Sequence, residues 1–376
     1  MRIRAAVLHE PHAPLVVEQV ELDPPRADEV LVRVAAAGVC HSDLHLAEGA
    51  LGDGRWPIVL GHEGAGVVEA VGDRINHVRP GDRVAFCFVP SCGACRSCRA
   101  GRPNLCEPAG RNGLKGTLLD GTSRLHLPDG ASLQHGLMTA CFAERTVVAA
   151  AGAVPLPDGI PLWQAALLGC GVVTGIGAVR NVAGVRIGET VCVIGCGGVG
   201  LQVIAGAHLA GAARIVAVDR EPEKLELALR RGATDAVDSS RGRPARSVRD
   251  LLAGGADYAF EVVGRAETIR LAWDVLRPGG TAVVVGLAPK GVEVSLPAIE
   301  FLSDKSIKGC YYGSGNVAAE LPRLAAMAAD GRLKLGEVVS HFTDLDGIDE
   351  ALGRMRDGVG ARTIAIVDPE LAGAPR

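Results

Sequence analysis

Four cysteines stand close together in this 376-residue chain: Cys92, Cys95, Cys98 and Cys106, spaced C-x2-C-x2-C-x7-C. Four thiolates in one short loop can close a tetrahedral shell, which is what a structural zinc requires. The lobe around them, about 90–108, has little apolar content to fold on, so a bound metal would supply its local folding energy. Pro90, Gly93, Gly101 and Pro103 suit an irregular loop. An iron–sulfur cluster would use the same four ligands, and unliganded thiols are the plain alternative. A second set is dispersed. Cys40 lies in Gly38-Val39-Cys40-His41-Ser42-Asp43, His62 in Gly61-His62-Glu63-Gly64, and Cys170 in Gly169-Cys170-Gly171. Two Cys and one His with an open fourth position form a catalytic zinc pattern. Taken singly, Cys170 reads as a small core residue and His62 as an ordinary hydrogen-bonded group. Spacing alone does not join the three.

A third constellation is Gly195-Cys196-Gly197-Gly198-Val199-Gly200, which fits G-x-G-x-x-G. An apolar run, 190–195, leads into it, a helical pattern follows, and a second apolar run ends in Asp219. That order is what a dinucleotide site needs. Gly195 allows the tight turn, Gly197 lets the backbone approach a pyrophosphate, and Gly200 lets helix pack on strand. The phosphates would meet the free N–H groups of the helix N-terminus. Asp219 would accept from the adenosine ribose hydroxyls and repel a 2′-phosphate, favouring NAD over NADP, with the adjacent Arg220 a counter-signal. A glycine-rich turn without a ligand is the competing reading.

These groups need elements to hold them. The first third reads as β-rich, with strand alternation over 29–35 and turns at Pro80-Gly81-Asp82, Asp120-Gly121 and Pro128-Asp129-Gly130. From about Val172, β-branched runs at 190–195, 214–218, 257–263 and 281–286 alternate with helical patterns such as 199–210 and 223–231. Strand–helix–strand alternation predicts a doubly wound parallel sheet in an α/β fold. After about Tyr312 the chain returns to a helix and a last strand, 363–368. The expected organisation is a β-rich domain of 1–171 plus 313–376, with an α/β domain of 172–312 inserted into it.

Composition removes other classes. Hydrophobic residues make up 48% and charged residues 22%, which is ordinary for a folded chain. The net charge of −4 and the 3% aromatic content argue against a nucleic-acid partner. The local cluster Arg241, Arg243, Arg246 and Arg249 reads as a solvated loop entering a surface helix. Apolar runs are too short for a membrane span. No apolar segment follows Met1-Arg2-Ile3-Arg4, so no secretory signal is expected. A cytoplasmic, reducing location would make the 11 cysteines thiols or metal ligands.

Together these segments strongly resemble the zinc-dependent alcohol dehydrogenases of the medium-chain dehydrogenase/reductase superfamily. The resemblance runs through the G-H-E-G-A-G of residues 61–66, the four-Cys lobe, Asp120-Gly121-Thr122-Ser123-Arg124, Leu168-Gly169-Cys170-Gly171, the glycine loop and Ala361-Arg362-Thr363-Ile364. It implies a Rossmann doubly wound parallel sheet inserted into a β-rich GroES-like catalytic domain, with the active site in the cleft between them. It also implies NAD and two zinc ions per chain, a small alcohol or aldehyde substrate, and a homo-oligomer, dimer or tetramer. Cys40, His62 and Cys170 then match the catalytic zinc ligands, and Cys92, Cys95, Cys98 and Cys106 the structural ones. Glu63 matches an acid close behind the metal, and Asp43 the carboxylate that orients His62. Ser42 and His45 match a proton relay. His41 and Arg362 match coenzyme phosphate contacts, Lys224 a residue near the adenosine ribose, and Val285 and Leu287 backbone contacts to the nicotinamide amide.

The resemblance also bears on substrate. Phe88 and Leu137 match pocket-lining positions. Gly136, where a bulky residue is common, and Ser42, where Thr is common, suggest room for larger or secondary alcohols. Thiol-adduct formaldehyde dehydrogenases share the long segment 120–146, and form the alternative within enzymes. Here Asp53 falls at their thiol-gripping acid, but Gly110 occupies the arginine position with Arg111 one place on, and His45 stands where Tyr is frequent. An inactive zinc-stabilised binding protein is the alternative outside enzymes. Cys87, Cys141, Cys192, Cys196 and Cys310 read as packing residues.

Overall fold

The computed structural model describes residues 1–50 and 55–373. The chain divides into two compact units, one of Met1–Cys170 with Asn316–Arg376 and one of Gly171–Gly315. Among the described residues, no single helix is long and apolar enough to cross a membrane.

The first unit is built on mainly antiparallel sheet, with parallel pairs at Ile58–Val59 with Ser132–His135 and at His341–Thr343 with Thr363–Ile366. Strands Arg2–Leu8, Val16–Leu22, Leu125–His126, Ser132–His135 and Ile58–Val59 close a small barrel. Beside it runs a larger sheet in the order Ala153–Pro155, Arg83–Phe86, Glu63–Val71, Glu29–Val39, Thr363–Ile366 and His341–Thr343, with Arg145–Ala149 also paired to Glu29–Val39. Alternation in the sequence ends near Ala35, yet the central strand continues to Val39. Residues 34–39 are buried on both faces, and a strand covered on both sides has no polar face to alternate with. Val34, Val39, Leu60, Phe86 and Phe142 share one buried cluster. Removing each such side chain from water contributes about 1.5–3 kcal/mol. The long strand therefore delivers Cys40 to a fixed point at its end.

The Asp120–Arg124 segment serves this packing. Arg124 is buried and grips Glu29 in a fork, Nε to Oε2 at 2.8 Å and Nη2 to Oε1 at 2.6 Å, with Asp120 as a second partner. Planar bidentate pairing suits arginine under burial, because each removed water is replaced by a charge-assisted bond. His135 lies close by and is buried. Its Nε2 donates to the Val147 carbonyl at 3.0 Å, and its Nδ1 faces the Ser123 hydroxyl at 3.2 Å.

The second unit is a six-stranded parallel sheet, in the order Asp235–Asp238, Arg214–Asp219, Thr190–Ile194, Ala256–Glu261, Leu276–Val284 and Ser306–Gly309. The expected α/β class and doubly wound order are present. The helix Gly198–Leu209 is buried along most of its length, so it shows no polar stripe. The strands Asp235–Asp238 and Ser306–Gly309 lie at the two edges and escape the sequence reading, being short and flanked or filled by polar residues. The arginine cluster lies at and around the helix Pro244–Leu251 with its guanidinium-bearing residues exposed, as a solvated face.

Burial pushes the His135 imidazole down to about 4 from an ordinary 6.5. Between those values the unfolded chain binds a proton that the folded chain refuses. Stability is therefore untouched above pH about 6.5 and declines as pH falls, by about 3 kcal/mol at pH 4 from this group. Urea unfolding of wild type and His135→Gln across that window should show the variant with a correspondingly flatter acid limb.

Candidate active site

Cys40 ends the long central strand and begins the helix His41–Ala47. Asp43, one turn in, folds its carboxylate back over the junction. Its Oδ2 accepts from the Cys40 N–H at 3.2 Å, and its Oδ1 accepts from the Gly61 N–H at 3.0 Å and faces His62 Nδ1 at 3.0 Å. The ring is therefore held with Nε2 pointing away from Asp43, and that nitrogen is buried without a hydrogen-bond partner. A ring fixed by a carboxylate at one nitrogen with the other free for a cation is the arrangement metal-ligating histidines adopt.

Backbone of unusual shape supports this. Gly61 has φ +92°, and a Cβ there would stand 2.6 Å from the Phe142 ring. The Gly61 carbonyl accepts from the Thr139 hydroxyl at 2.8 Å and the Cys141 N–H at 3.0 Å. Leu137, Met138 and Ala140 all hold positive φ, at 45°, 62° and 47°. Such left-handed conformations cost energy and persist where surrounding structure demands them. Gly169 completes the set, since a Cβ there would stand 2.4 Å from the Phe86 carbonyl oxygen. That close passage brings Cys170 to the other side chains.

The result is a cluster in which the ligand atoms of Cys40, His62, Glu63 and Cys170 all lie within 4.8 Å of one another, every residue buried. Tetrahedral zinc with bonds of about 2.0–2.3 Å needs ligand atoms under about 4 Å apart, so small side-chain adjustments suffice. The protonation pattern also fits. Bonding from the Cys170 thiol holds the Cys40 thiol well below its ordinary range, and that same bond, with burial, pushes Cys170 well above. Burial, the largest influence on His62, opposes its charge, but Asp43 and Cys40 together outweigh it and hold the imidazole well above its ordinary value. Protons shared among two sulfurs and an imidazole are those a divalent cation displaces.

Glu63 is the acidic member of this cluster. Its Oε1 takes a bond from Arg362 Nη2 at 2.9 Å, while Oε2 is buried without a partner. Arg362 also donates to the Val39 carbonyl at 3.0 Å. Burial raises the Glu63 carboxyl to about 8, with Arg362 pulling against the shift. This pairing was not legible in the sequence, because the two residues are far apart in the chain. Ser42 Oγ lies 4.0 Å from Cys40 Sγ. One turn on, His45 has a buried, unpartnered Nδ1, and burial lowers its pKa. His41 is exposed, its ring 6.1 Å from that of His45. Phe88 meets the His62 ring edge-on at 5.0 Å.

Gly136 requires a correction. The sequence reading gives it the role of widening a pocket. A Cβ at this position would instead stand 2.5 Å from the Val59 carbonyl oxygen and 2.9 Å from Leu60 Cα. Its smallness is taken up by the close passage of two backbones. Asp53 lies outside the described residues. Gly110 and Arg111 are exposed on the helix Glu107–Gly113.

The four-Cys lobe forms its own cluster, with the sulfurs of Cys92, Cys95, Cys98 and Cys106 within 4.8 Å of one another. Backbone N–H groups point at them, Cys92 to Cys106 at 3.3 Å and Cys95 to Cys92 at 3.4 Å. The Cys98 N–H, the largest influence on Cys95, lowers that thiol to about 6, whereas burial raises Cys98 to about 12. Four convergent sulfurs, with no carboxylate or imidazole among them, suit a closed metal shell.

In the second unit, the strand Thr190–Ile194 turns at Gly195, φ +97°, into the helix Gly198–Leu209. A Cβ at Gly200 would stand 1.8 Å from the Gly195 carbonyl oxygen, so only glycine fits. Nothing lies within 4 Å of a Cβ at Gly197. The helix starts at Gly198 and Val199 without a side-chain cap, leaving its first N–H groups for an anion. Asp219 stands at the end of the next strand, its Oδ2 accepting from the Cys196 N–H at 2.7 Å. Arg220 is turned to Glu221 at 3.2 Å, and Lys224 is half-buried on the helix Pro222–Arg230. Val285 spends its N–H on the Glu261 carbonyl at 2.8 Å, and Leu287 is exposed.

The strand end also explains Gly38. A Cβ there would stand 2.4 Å from Glu63 Oε2. Gly38→Ala should displace that carboxylate and destabilise the protein by about 1–3 kcal/mol, as overpacking of a close-packed site does. Thermal melting of wild type and variant checks this.

Comparison with known proteins agrees with the geometry. Residues 26–158 match the alcohol dehydrogenase GroES-like domain, and residues 198–330 match the zinc-binding dehydrogenase family. The chain is similar to an S-(hydroxymethyl)glutathione dehydrogenase of Photobacterium damsela subsp. piscicida, 38% identical over 97% of this chain and 99% of that one. It is 41% identical to an NDMA-dependent alcohol dehydrogenase of Amycolatopsis methanolica, over 97% and 98% of the two chains. Among solved structures, the benzyl alcohol dehydrogenase of Acinetobacter calcoaceticus superposes with a TM-score of 0.92 at 30% identity, covering 98% and 99%. Matches of this extent, over both domains and nearly every residue, place the chain in the zinc-dependent alcohol dehydrogenases of the medium-chain dehydrogenase/reductase superfamily.

Proposed function

We propose that this enzyme transfers a hydride between a primary or secondary alcohol and NAD, giving the aldehyde or ketone. The observation that carries the reading is the buried Cys40, His62 and Cys170 set, with His62 Nε2 unpartnered and Ser42 and His45 on the adjoining helix. Zinc, when bound, supplies the Lewis acidity that lets an alcohol lose its proton near neutral pH. Asp43 holds His62 in the ligating orientation. Ser42 would accept the hydroxyl proton of the substrate and pass it toward His45, whose lowered pKa keeps its ring unprotonated at neutral pH and quick to release a relayed proton. Glu63 with Arg362 stands behind the ligands, where a carboxylate tempers the charge a cation brings. His41 and Arg362 are the candidate phosphate contacts. The glycine loop with Asp219 favours NAD over NADP, because a carboxylate repels a 2′-phosphate. A second zinc would serve the four-Cys lobe by holding it folded. A cytoplasmic homo-oligomer, dimer or tetramer, completes the proposal.

Cys40→Ala separates the two metals. It should abolish NAD-dependent alcohol turnover and lower the zinc content from about two per chain to about one, leaving the fold intact. Unchanged turnover would refute the ligand assignment. A panel of alcohols scored by kcat/KM with NAD and with NADP defines substrate and coenzyme preference.

The similarity to S-(hydroxymethyl)glutathione dehydrogenases supports a second reading, oxidation of a hydroxymethyl–thiol adduct. Formaldehyde is assayed with and without a low-molecular-weight thiol. NAD reduction that strictly needs the thiol would favour the second reading over the first.

A further inference from the structure

Glu261 ends the strand Ala256–Glu261 and is buried. Its Oε1 accepts three hydrogen bonds, from the Val263 N–H at 2.8 Å, the Gly264 N–H at 2.7 Å and the Thr268 hydroxyl at 2.7 Å. Its main-chain carbonyl accepts two more, from the N–H groups of Val285 at 2.8 Å and Gly286 at 3.0 Å. One residue thus fastens the turn 262–264 to the end of the neighbouring strand. Its Oε2 is buried with no hydrogen-bond partner, and a Cβ at Gly286 would stand 2.7 Å from it. A carboxylate left half uncompensated costs stability. Its place here calls for a purpose other than stability.

The turn it holds lies where a ligand belongs. Thr190–Ile194 and Ala256–Glu261 are neighbours in the sheet, and from them the strand order runs outward in opposite directions. Open parallel sheets bind ligands outside the carboxyl ends of the strands at such a switch point. A Cβ at Gly195 would stand 2.7 Å from Val263 Cγ2, and one at Gly264, φ +89°, 2.4 Å from the Leu287 carbonyl oxygen. The turn is therefore wedged between the glycine loop and residues 285–287. If the adenosine ribose lies at Asp219 and the pyrophosphate at the glycine loop, the other half of a dinucleotide must cross onto this turn.

We propose that Glu261 is a positioning residue for the nicotinamide–ribose half of the coenzyme. Its side chain fixes the backbone N–H groups of 263 and 264, in the turn against which that half rests, without touching it. The inference deepens the coenzyme reading and rests on it. The adenosine half, held elsewhere, is indifferent to Glu261.

The test titrates the zinc-loaded full-length enzyme with NADH and with AMP. Glu261→Ala should weaken NADH about tenfold and leave AMP unchanged. Glu261→Gln keeps an acceptor oxygen for the two N–H groups and should recover most of the loss. Thr268→Val removes one of the three bonds to Oε1, along with the hydroxyl's bonds to the Arg265 main chain, and should fall between; it decides the matter if Glu261→Ala does not fold. NADH binding equal to wild type in both Glu261→Ala and Thr268→Val overturns the proposal, as does a parallel loss of AMP, which signals general collapse. A wild-type protein that binds neither nucleotide overturns the coenzyme reading itself.

Discussion

One buried carboxylate holds the candidate metal site together. Asp43 bonds the backbone N–H of Cys40, the backbone N–H of Gly61 and the ring of His62. Two potential ligands from separate strands are thereby referred to one rigid group on a short helix. Removing a partner from such a junction leaves buried charge or buried N–H groups exposed to no water, which is costly. The arrangement also explains why His62 presents Nε2 to the cluster, since Nδ1 is committed. Ligand identity follows from residue type, but ligand geometry follows from Asp43.

Around that junction the chain accepts local cost. Three non-glycine residues of the 137–140 segment hold positive φ, and Gly61 holds φ +92° against Phe142. Regular strands could not turn sharply enough to bring His62, Glu63 and Cys170 to one point. The offset comes from the cluster of Val34, Leu60, Phe86 and Phe142 packed beneath. Strain of this kind is tolerated where a site needs precise placement, and close packing prevents its relaxation.

Legibility in the sequence tracked the range of the interactions. The glycine loop was readable because its requirements are local: a strand, a positive-φ turn at Gly195, and a helix that passes Gly200 with no space for a side chain. The four-Cys lobe was readable for the same reason. Cys40, His62 and Cys170 could be joined only by resemblance, since the pairing of Gly38 with Glu63 and the passage of Gly169 by Phe86 are long-range events. Gly136 misled, because a missing side chain looks like space when it is in fact contact between backbones. The strand Glu29–Val39 was read short because double-sided burial erases alternation. Resemblance gives Arg362 to phosphate, and its grip on Glu63 has no signature in the chain at all.

The two units share a physical solution. In the first, Asp43 ends an irregular turn by accepting two backbone N–H groups and meeting the ring of the candidate ligand His62. In the second, Glu261 accepts two backbone N–H groups and a hydroxyl at the end of a strand. Both sites need loops with fixed shape where helix and sheet hydrogen bonding has stopped. At Asp43 the bonds are divided between both oxygens, where an amide would offer a single acceptor; at either residue a carboxylate gives stronger bonds to N–H donors than a neutral amide. Burial then makes those bonds hard to exchange for water. On the proposed reading, acidic residues define the shape of the backbone that would receive cation and coenzyme, and the groups that would touch those ligands are mostly cysteine, histidine, glycine and bare main chain.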